Sequence, residues 1–200
     1  MAAAMGVASM GVAVQPVAAQ NFSVGFKFLQ AVEKKDATEV DALLKQNATV
    51  VNTRDLAKGH TALHIVTQRR DLQWMGFLLG KGADPNIADK NGVTPLLMAS
   101  QLGFVEGVEL LASRGAGVDI PNAAGETPLI SAVHRSDTSM IRVLLAAGAD
   151  PDRNDNSGRS ARDYATLASP GSQTLEEITR LGGEKGERAR QKAQTYGPSF

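Results

Sequence analysis

Apolar residues recur along this chain in short paired clusters. Between residues 59 and 157 each pair has the same order. A first cluster holds Leu63 and Val66, Leu96 and Ala99, or Leu129 and Ala132. A second cluster ends in Phe77-Leu78-Leu79, Leu110-Leu111 or Val143-Leu144-Leu145. Positions three apart share one face of a helix, so each pair predicts two short helices with an apolar side to bury. Glycines punctuate the pattern. Gly59-His60-Thr61, Gly92-Val93-Thr94, Gly125-Glu126-Thr127 and Gly158-Arg159-Ser160 begin at a constant step of 33 residues. Gly82-Ala83, Gly115-Ala116 and Gly148-Ala149 form a second series with the same step. A fixed period of this length predicts stacked supersecondary units, each too small to bury its apolar face alone.

The polar positions give each unit its boundaries. Thr61, Thr94, Thr127 and Ser160 can accept a backbone N–H and so start a helix. Pro95 and Pro128 follow at the first helical position, where no N–H is needed. Gly103 marks a break between the two helices of one unit; Arg70 and Ser136, each followed by Asp, hold that place in the neighbouring units and predict a less sharply specified break. Gly82, Gly115 and Gly148 suit helix C-caps.

These residues resemble the ankyrin repeat. Gly92-Val93-Thr94-Pro95-Leu96-Leu97-Met98-Ala99 and Gly125-Glu126-Thr127-Pro128-Leu129 are similar to its opening motif, and Gly82-Ala83-Asp84-Pro85-Asn86 to its closing motif. Thr61-Ala62-Leu63-His64 lacks the motif's proline and keeps its histidine, which Leu97 and Ile130 replace in the next two units. The resemblance covers about residues 27 to 167 and implies an all-α solenoid of helix-turn-helix units with finger loops, about four to five repeats including caps. The expected organisation is an N-terminal capping helix pair over 20–58, repeats over 59–91, 92–124 and 125–157, a C-terminal capping repeat over 158–181 and a polar tail over 182–200. Asn47-Ala48 stands 35 residues before Gly82, so the first finger is read as about two residues longer than the others.

Residues 1–19 differ in composition. They are uncharged, rich in Ala, Val, Met and Gly, and end in Pro16-Val17-Ala18-Ala19. Small residues at Val17 and Ala19 suit a signal peptidase, so the stretch is read as a secretory leader cleaved after Ala19. The basic start of such a leader is missing, which leaves an atypical leader or an upstream start. The resulting expectation is a periplasmic or secreted protein, with no membrane contact after cleavage. A cytosolic location requires the leader to be an uncleaved tail.

Lys+Arg and Asp+Glu are both 21, so the chain has no basic excess to neutralise phosphates, and no nucleic-acid partner is expected. Cysteine is absent, which removes disulfides, thiolate catalysis and Cys-based zinc motifs. The histidines His60, His64 and His134 have no metal-ligand spacing. Ser131 lies three residues from His134, but the sequence offers neither an orienting acid nor an oxyanion hole. The chain is therefore read as a non-catalytic protein-interaction module without cofactor or metal, expected to be monomeric.

The resemblance implies that a protein partner docks on the finger tips and the concave face of the inner helices. Those positions are Lys58, His60, Gln68 and Arg69 in one repeat, then Lys90, Asn91, Val93, Gln101 and Leu102. Glu126, His134 and Arg135 follow, and Asn156 and Arg159 close the set. Arg69 and Arg135, two periods apart, are expected to point from one face with no part in stability. With Lys58, Lys90 and Arg159 they predict a locally basic surface suited to an acidic protein patch. The leading functional expectation is an exported adaptor. The alternatives are a secreted effector acting on a host protein and a cytosolic regulatory adaptor.

Overall fold

The computed structural model describes residues 17–168 and 171–182, with side chains from residue 24 onward. Residues 1–16 of the expected leader and 183–200 of the expected tail lie outside the described residues. Helix α1 is Val17–Lys34 and α2 is Ala37–Gln46, followed by a 3₁₀ turn, Ala48–Asn52. The three regular units supply α3 (Ala62–Gln68) with α4 (Leu72–Gly80), α5 (Pro95–Leu102) with α6 (Val105–Ser113), and α7 (Pro128–His134) with α8 (Thr138–Ala147). Helix α9 is Ala161–Ala168, and α10 covers residues 173–182. No strand occurs among the described residues.

The break between the helices of each unit has one geometry throughout. Gly103 is left-handed at φ 67°, but so are Lys35, Arg70 and Ser136, at 59°, 54° and 53°. The sequence expectation of looser breaks at Arg70 and Ser136 is therefore corrected. The aspartate that follows explains why a side chain is tolerated there. Asp36, Asp71 and Asp137 accept the backbone N–H of Glu39, Trp74 and Met140 at 3.0, 3.2 and 3.0 Å. Such a cap contributes about 1 kcal/mol, comparable with the roughly 1–2 kcal/mol that left-handed backbone costs a non-glycine residue. Where glycine removes that cost, Phe104 follows and gives no side-chain cap.

Stacking buries the apolar faces. The inner helices α1, α3, α5, α7 and α9 pack in that order, and α4, α6 and α8 pack behind them. Ala99, Ala132 and Ala165, at equivalent positions of successive inner helices, are buried and small enough for close approach. Met75, Val108 and Ile141 repeat at the same step in the outer layer, as do Leu78, Leu111 and Leu144; all are fully buried. The fingers join edge to edge: the backbone N–H of Lys90, Ala123 and Asn156 donates to the carbonyl of Lys58, Asn91 and Ala124. Gly125 is required there, since its φ is 79° and a Cβ would lie 2.5 Å from the Asn156 nitrogen.

The ends are closed differently. At the N-terminus α1 takes the inner position, and Gly25 lets it approach the finger, where a Cβ would lie 2.6 Å from the Thr53 side chain. At the C-terminus Glu177 of α10 accepts from Arg142 of α8 and Arg180 at 2.7 and 2.6 Å, and those two guanidiniums hold its carboxyl below the usual range.

Candidate partner-binding surface

The concave surface is built by the inner helices and by the fingers beside them. Each regular finger is a turn closed on itself. Asp89, Asn122 and Asp155 each donate a backbone N–H to the carbonyl four residues on, at 2.8, 3.0 and 2.9 Å. The side chain of the same residue accepts from two later N–H groups in the turn. These bonds fix the finger tips, so side chains near them present a rigid surface.

At the N-terminal end Lys58, His60, Gln68 and Arg69 line one groove of about 520 Å³ with Phe26, Leu29, Asp55 and Ile65. Lys58 and Gln68 are exposed. The His60 ring stacks on His64 at 5.2 Å and stands 3.5 Å from the Asp89 carboxylate. His64 is buried: its Nδ1 faces the Thr61 N–H at 3.1 Å and its Nε2 faces the Val93 carbonyl at 2.9 Å. An Nδ1 that accepts from an N–H leaves the ring proton on Nε2, which then donates to Val93. Burial pushes the His64 pKa down. Burial raises that of Asp55, but the backbone N–H groups of Lys58, His60 and Ala57 outweigh it and hold the carboxyl low.

Arg69 is placed differently from the expectation. Its Nη1 donates to the carbonyls of Val32 and Glu33 at 3.1 and 2.9 Å, closing the C-terminal end of α1. A side chain that satisfies helix-end carbonyls contributes to stability, so the expectation that Arg69 has no such part is corrected. Lys90 is engaged too, its ammonium donating to the Leu56 carbonyl at 2.5 Å. The expected basic surface is accordingly reduced, because two of its five cations serve the backbone.

In the middle, the Leu102 carbonyl accepts from Arg70, and Val93 accepts from His64, so both anchor neighbouring repeats. Asn91 donates its N–H to Asp89. Arg135 is exposed beside Gly103. Towards the C-terminal end a polar chain crosses the face. Gln101 reaches Glu126 at 3.5 Å, and Glu126 accepts from Asn122 at 2.9 Å. The other Glu126 oxygen is 3.8 Å from His134, whose ring packs nearly perpendicular to that of Tyr164 at 4.5 Å. The Tyr164 hydroxyl donates to Asp155 at 2.7 Å. That hydroxyl, with Ser157 and the Arg159 N–H, holds the Asp155 carboxyl far below the carboxylate range. Arg159 lies over the Tyr164 ring at 5.9 Å, and Asn156 donates to the Ala123 carbonyl at 3.0 Å. Glu126 is an acid near His134 that sequence reading did not find.

Sequence reasoning missed Phe26, Leu56 and Tyr164. Phe26 belongs to a cap outside the period, and Leu56 to the irregular finger. Tyr164 had a signal: it occupies the inner helix one step of 33 beyond Ser131, where an aromatic ring departs from the series.

Residues 28–122 match a family description of three ankyrin-repeat copies, and residues 111–165 a second description of many copies. The 2-5A-dependent ribonuclease of Mus musculus is 37% identical over 71 residues, 36% of this chain and 10% of that protein. The human 2-5A-dependent ribonuclease is 36% identical over 78 residues, 39% of this chain and 10% of that protein. Regulatory protein NPR6 of Arabidopsis thaliana is 36% identical over 76 residues, 38% of this chain and 16% of that protein. The chain therefore spans a sixth or less of the length of these relatives, and the likeness concerns repeats rather than whole proteins. The 33-residue period, the stacked helix pairs and the two family matches, which together span residues 28–165, show that this part of the chain is built of ankyrin repeats.

Proposed function

We propose that this chain is an exported, non-catalytic adaptor that holds a protein partner on its concave face. One observation carries the reading. The side chains left exposed on that face sit on a backbone fixed by finger and helix-end bonds, which is how a preorganised docking surface is built. Lys58, Gln68, His134, Arg135 and Arg159 are exposed there. Export rests on the leader pattern of residues 1–19.

The test is capture from a periplasmic extract, using the wild-type chain and an Arg135→Glu, Arg159→Glu variant as parallel baits. A protein retained by the first and lost by the second supports the adaptor. Equal retention removes the concave face from the reading, and an empty capture moves the effector reading ahead. Mass spectrometry of the chain's N-terminus tests export directly: a mature chain beginning at Gln20 is expected. A second reading, a cytosolic regulatory adaptor, is favoured by one feature, since α1 runs unbroken from Val17 across the Ala19–Gln20 bond. An intact N-terminus in cells selects it.

A further inference from the structure

The first finger is built differently from the three that follow. Asp55 donates its backbone N–H to the carbonyl of His60 at 2.8 Å, five residues on, where the regular fingers close over four. The bond from Lys90 to the Lys58 carbonyl keeps the regular step to the next finger. One extra residue therefore lies between Asp55 and Lys58, and the turn swells at Leu56-Ala57. The Leu56 carbonyl is held by the Lys90 ammonium, and the Leu56 side chain is left 69% exposed.

In the same groove α1 presents Phe26, which is 63% exposed. Leu56 and Phe26 both line a groove of about 420 Å³, together with buried Leu29, and this groove shares Phe26, Leu29, Asp55 and Ala57 with the groove beside Lys58. Exposed large apolar side chains are few here, and two of them meet at this one concavity. Its charge is lopsided. Among the described residues the Lys58 ammonium has no carboxylate within ion-pair distance. Asp55, the carboxylate next to it, accepts from the N–H groups of Lys58 and His60, both at 2.7 Å. Arg54 lines the apolar groove and Lys58 the adjoining one, so the finger contributes two cations against the single carboxylate of Asp55, and Glu33 of α1 also lines the groove beside Lys58.

We propose that this groove docks a segment of a partner polypeptide that carries an apolar side chain beside a carboxylate. The apolar group enters between Phe26 and Leu56, and the carboxylate meets Lys58. A concavity lined by both a helix and a finger suits an extended peptide; a bilayer is flat and would reach only its rim. The proposal rests on the concave-face reading and names the partner's chemistry at one end of that face.

The probe is a random peptide library displayed on phage and selected on the immobilised full chain, with enriched peptides then measured by fluorescence anisotropy. Peptides pairing Leu, Ile, Phe or Met with Asp or Glu are expected. Leu56→Ser should weaken them by about tenfold or more, as loss of a buried anchor does. Deleting Leu56 should do the same while circular dichroism stays helical, because it restores the turn length the other fingers already use. Lys58→Glu should weaken acidic peptides and tighten versions in which the acid is replaced by Lys. No enrichment, no acidic preference, or binding indifferent to both Leu56 changes overturns the proposal. So does Leu56-dependent sedimentation with phosphatidylglycerol vesicles in place of peptide binding. If capture still depends on Arg135 and Arg159 while these results fail, the adaptor reading stands and the groove alone falls.

Discussion

The first regular repeat and the two central ones reach the same backbone by different chemistry. Thr61, Thr94 and Thr127 all precede an inner helix in extended conformation, with φ between −85° and −89°. In the first repeat the third helical residue is His64, whose ring faces the Thr61 N–H and hydroxyl and reaches the next finger at Val93. In the central repeats that place holds Leu97 and Ile130, both fully buried, and the threonine hydroxyl accepts from their N–H at 3.2 Å. Proline precedes the apolar residue in both central repeats, and Ala62 stands there in the first. The C-terminal unit repeats the polar solution: Ser160 and Asp163 cap each other, and Ser160 holds the Asp163 carboxyl below its usual range. The pattern teaches that the interior of the stack uses apolar packing and a preset φ, while units near its ends use reciprocal polar closure.

The largest effects should come from the packed interior. Leu111→Ala and Leu144→Ala each remove a fully buried side chain and should cost roughly 2–5 kcal/mol. Thermal denaturation followed by circular dichroism reads this, and the whole short array should loosen together because each unit depends on its neighbours. A melt equal to wild type would show that these leucines are not core. A smaller effect tests the exchange of chemistries. His64→Leu alone leaves the buried Thr61 N–H without its ring partner and should cost about 1–3 kcal/mol. Adding Ala62→Pro imports the other half of the central solution and should recover part of that loss. Thr61 already has the extended backbone that precedes proline, at φ −89° and ψ 173°. If the double variant melts below the single, the two solutions are not interchangeable.

The same comparison predicts a pH dependence. The folded state lowers the His64 pKa from 6.5, first through burial and then through the neighbouring positive charges of His60 and Arg54, against the opposing pull of Val93 and Asp89. A depressed folded pKa means that the unfolded chain binds the proton more readily. The stability tied to neutral His64 is thus fully present above 6.5 and is lost as pH falls below it. The melting temperature of wild type should drop between about pH 7 and pH 5, a window above the carboxylates' titration. His64→Leu should lessen that drop. An unchanged slope in the variant would assign the dependence to other groups.

The period made most of this fold legible, because the glycines, threonines and leucines that carry it answer to local backbone geometry. Gly92 and Gly125 have left-handed φ of 78° and 79°, one step apart, and nothing beyond their own turn is needed to anticipate this. The binding surface was less legible. Arg69 could be placed on the concave side by register, but its bonds to Val32 and Glu33 run to an element outside the period. The two extra residues before the first regular repeat were countable, yet their division was not. One lies between Asn47 and Asp55, where eight steps replace the seven from Gly82 to Asp89, and the other makes the Leu56 bulge. The Asp155–Tyr164 bond joins a finger to the next inner helix, and no local pattern announces it.

The smallest effects lie at the breaks between helices, where the two devices can be separated. Ser136 is left-handed and followed by the Asp137 cap; Gly103 is left-handed and followed by uncapping Phe104. Asp137→Ala removes the acceptor for Met140 and should cost about 1 kcal/mol. Ser136→Gly relieves the left-handed strain but loosens the unfolded chain, so a gain of only about 0.5 kcal/mol is expected. Gly103→Ser runs against the grain, since its Cβ would fall 2.9 Å from the Arg135 guanidinium as well as adopting a left-handed backbone. That substitution should cost more than Ser136→Gly gains. Urea denaturation of the three variants orders them, and if Gly103→Ser proves neutral, the cap rather than the backbone conformation decides which residue these breaks accept.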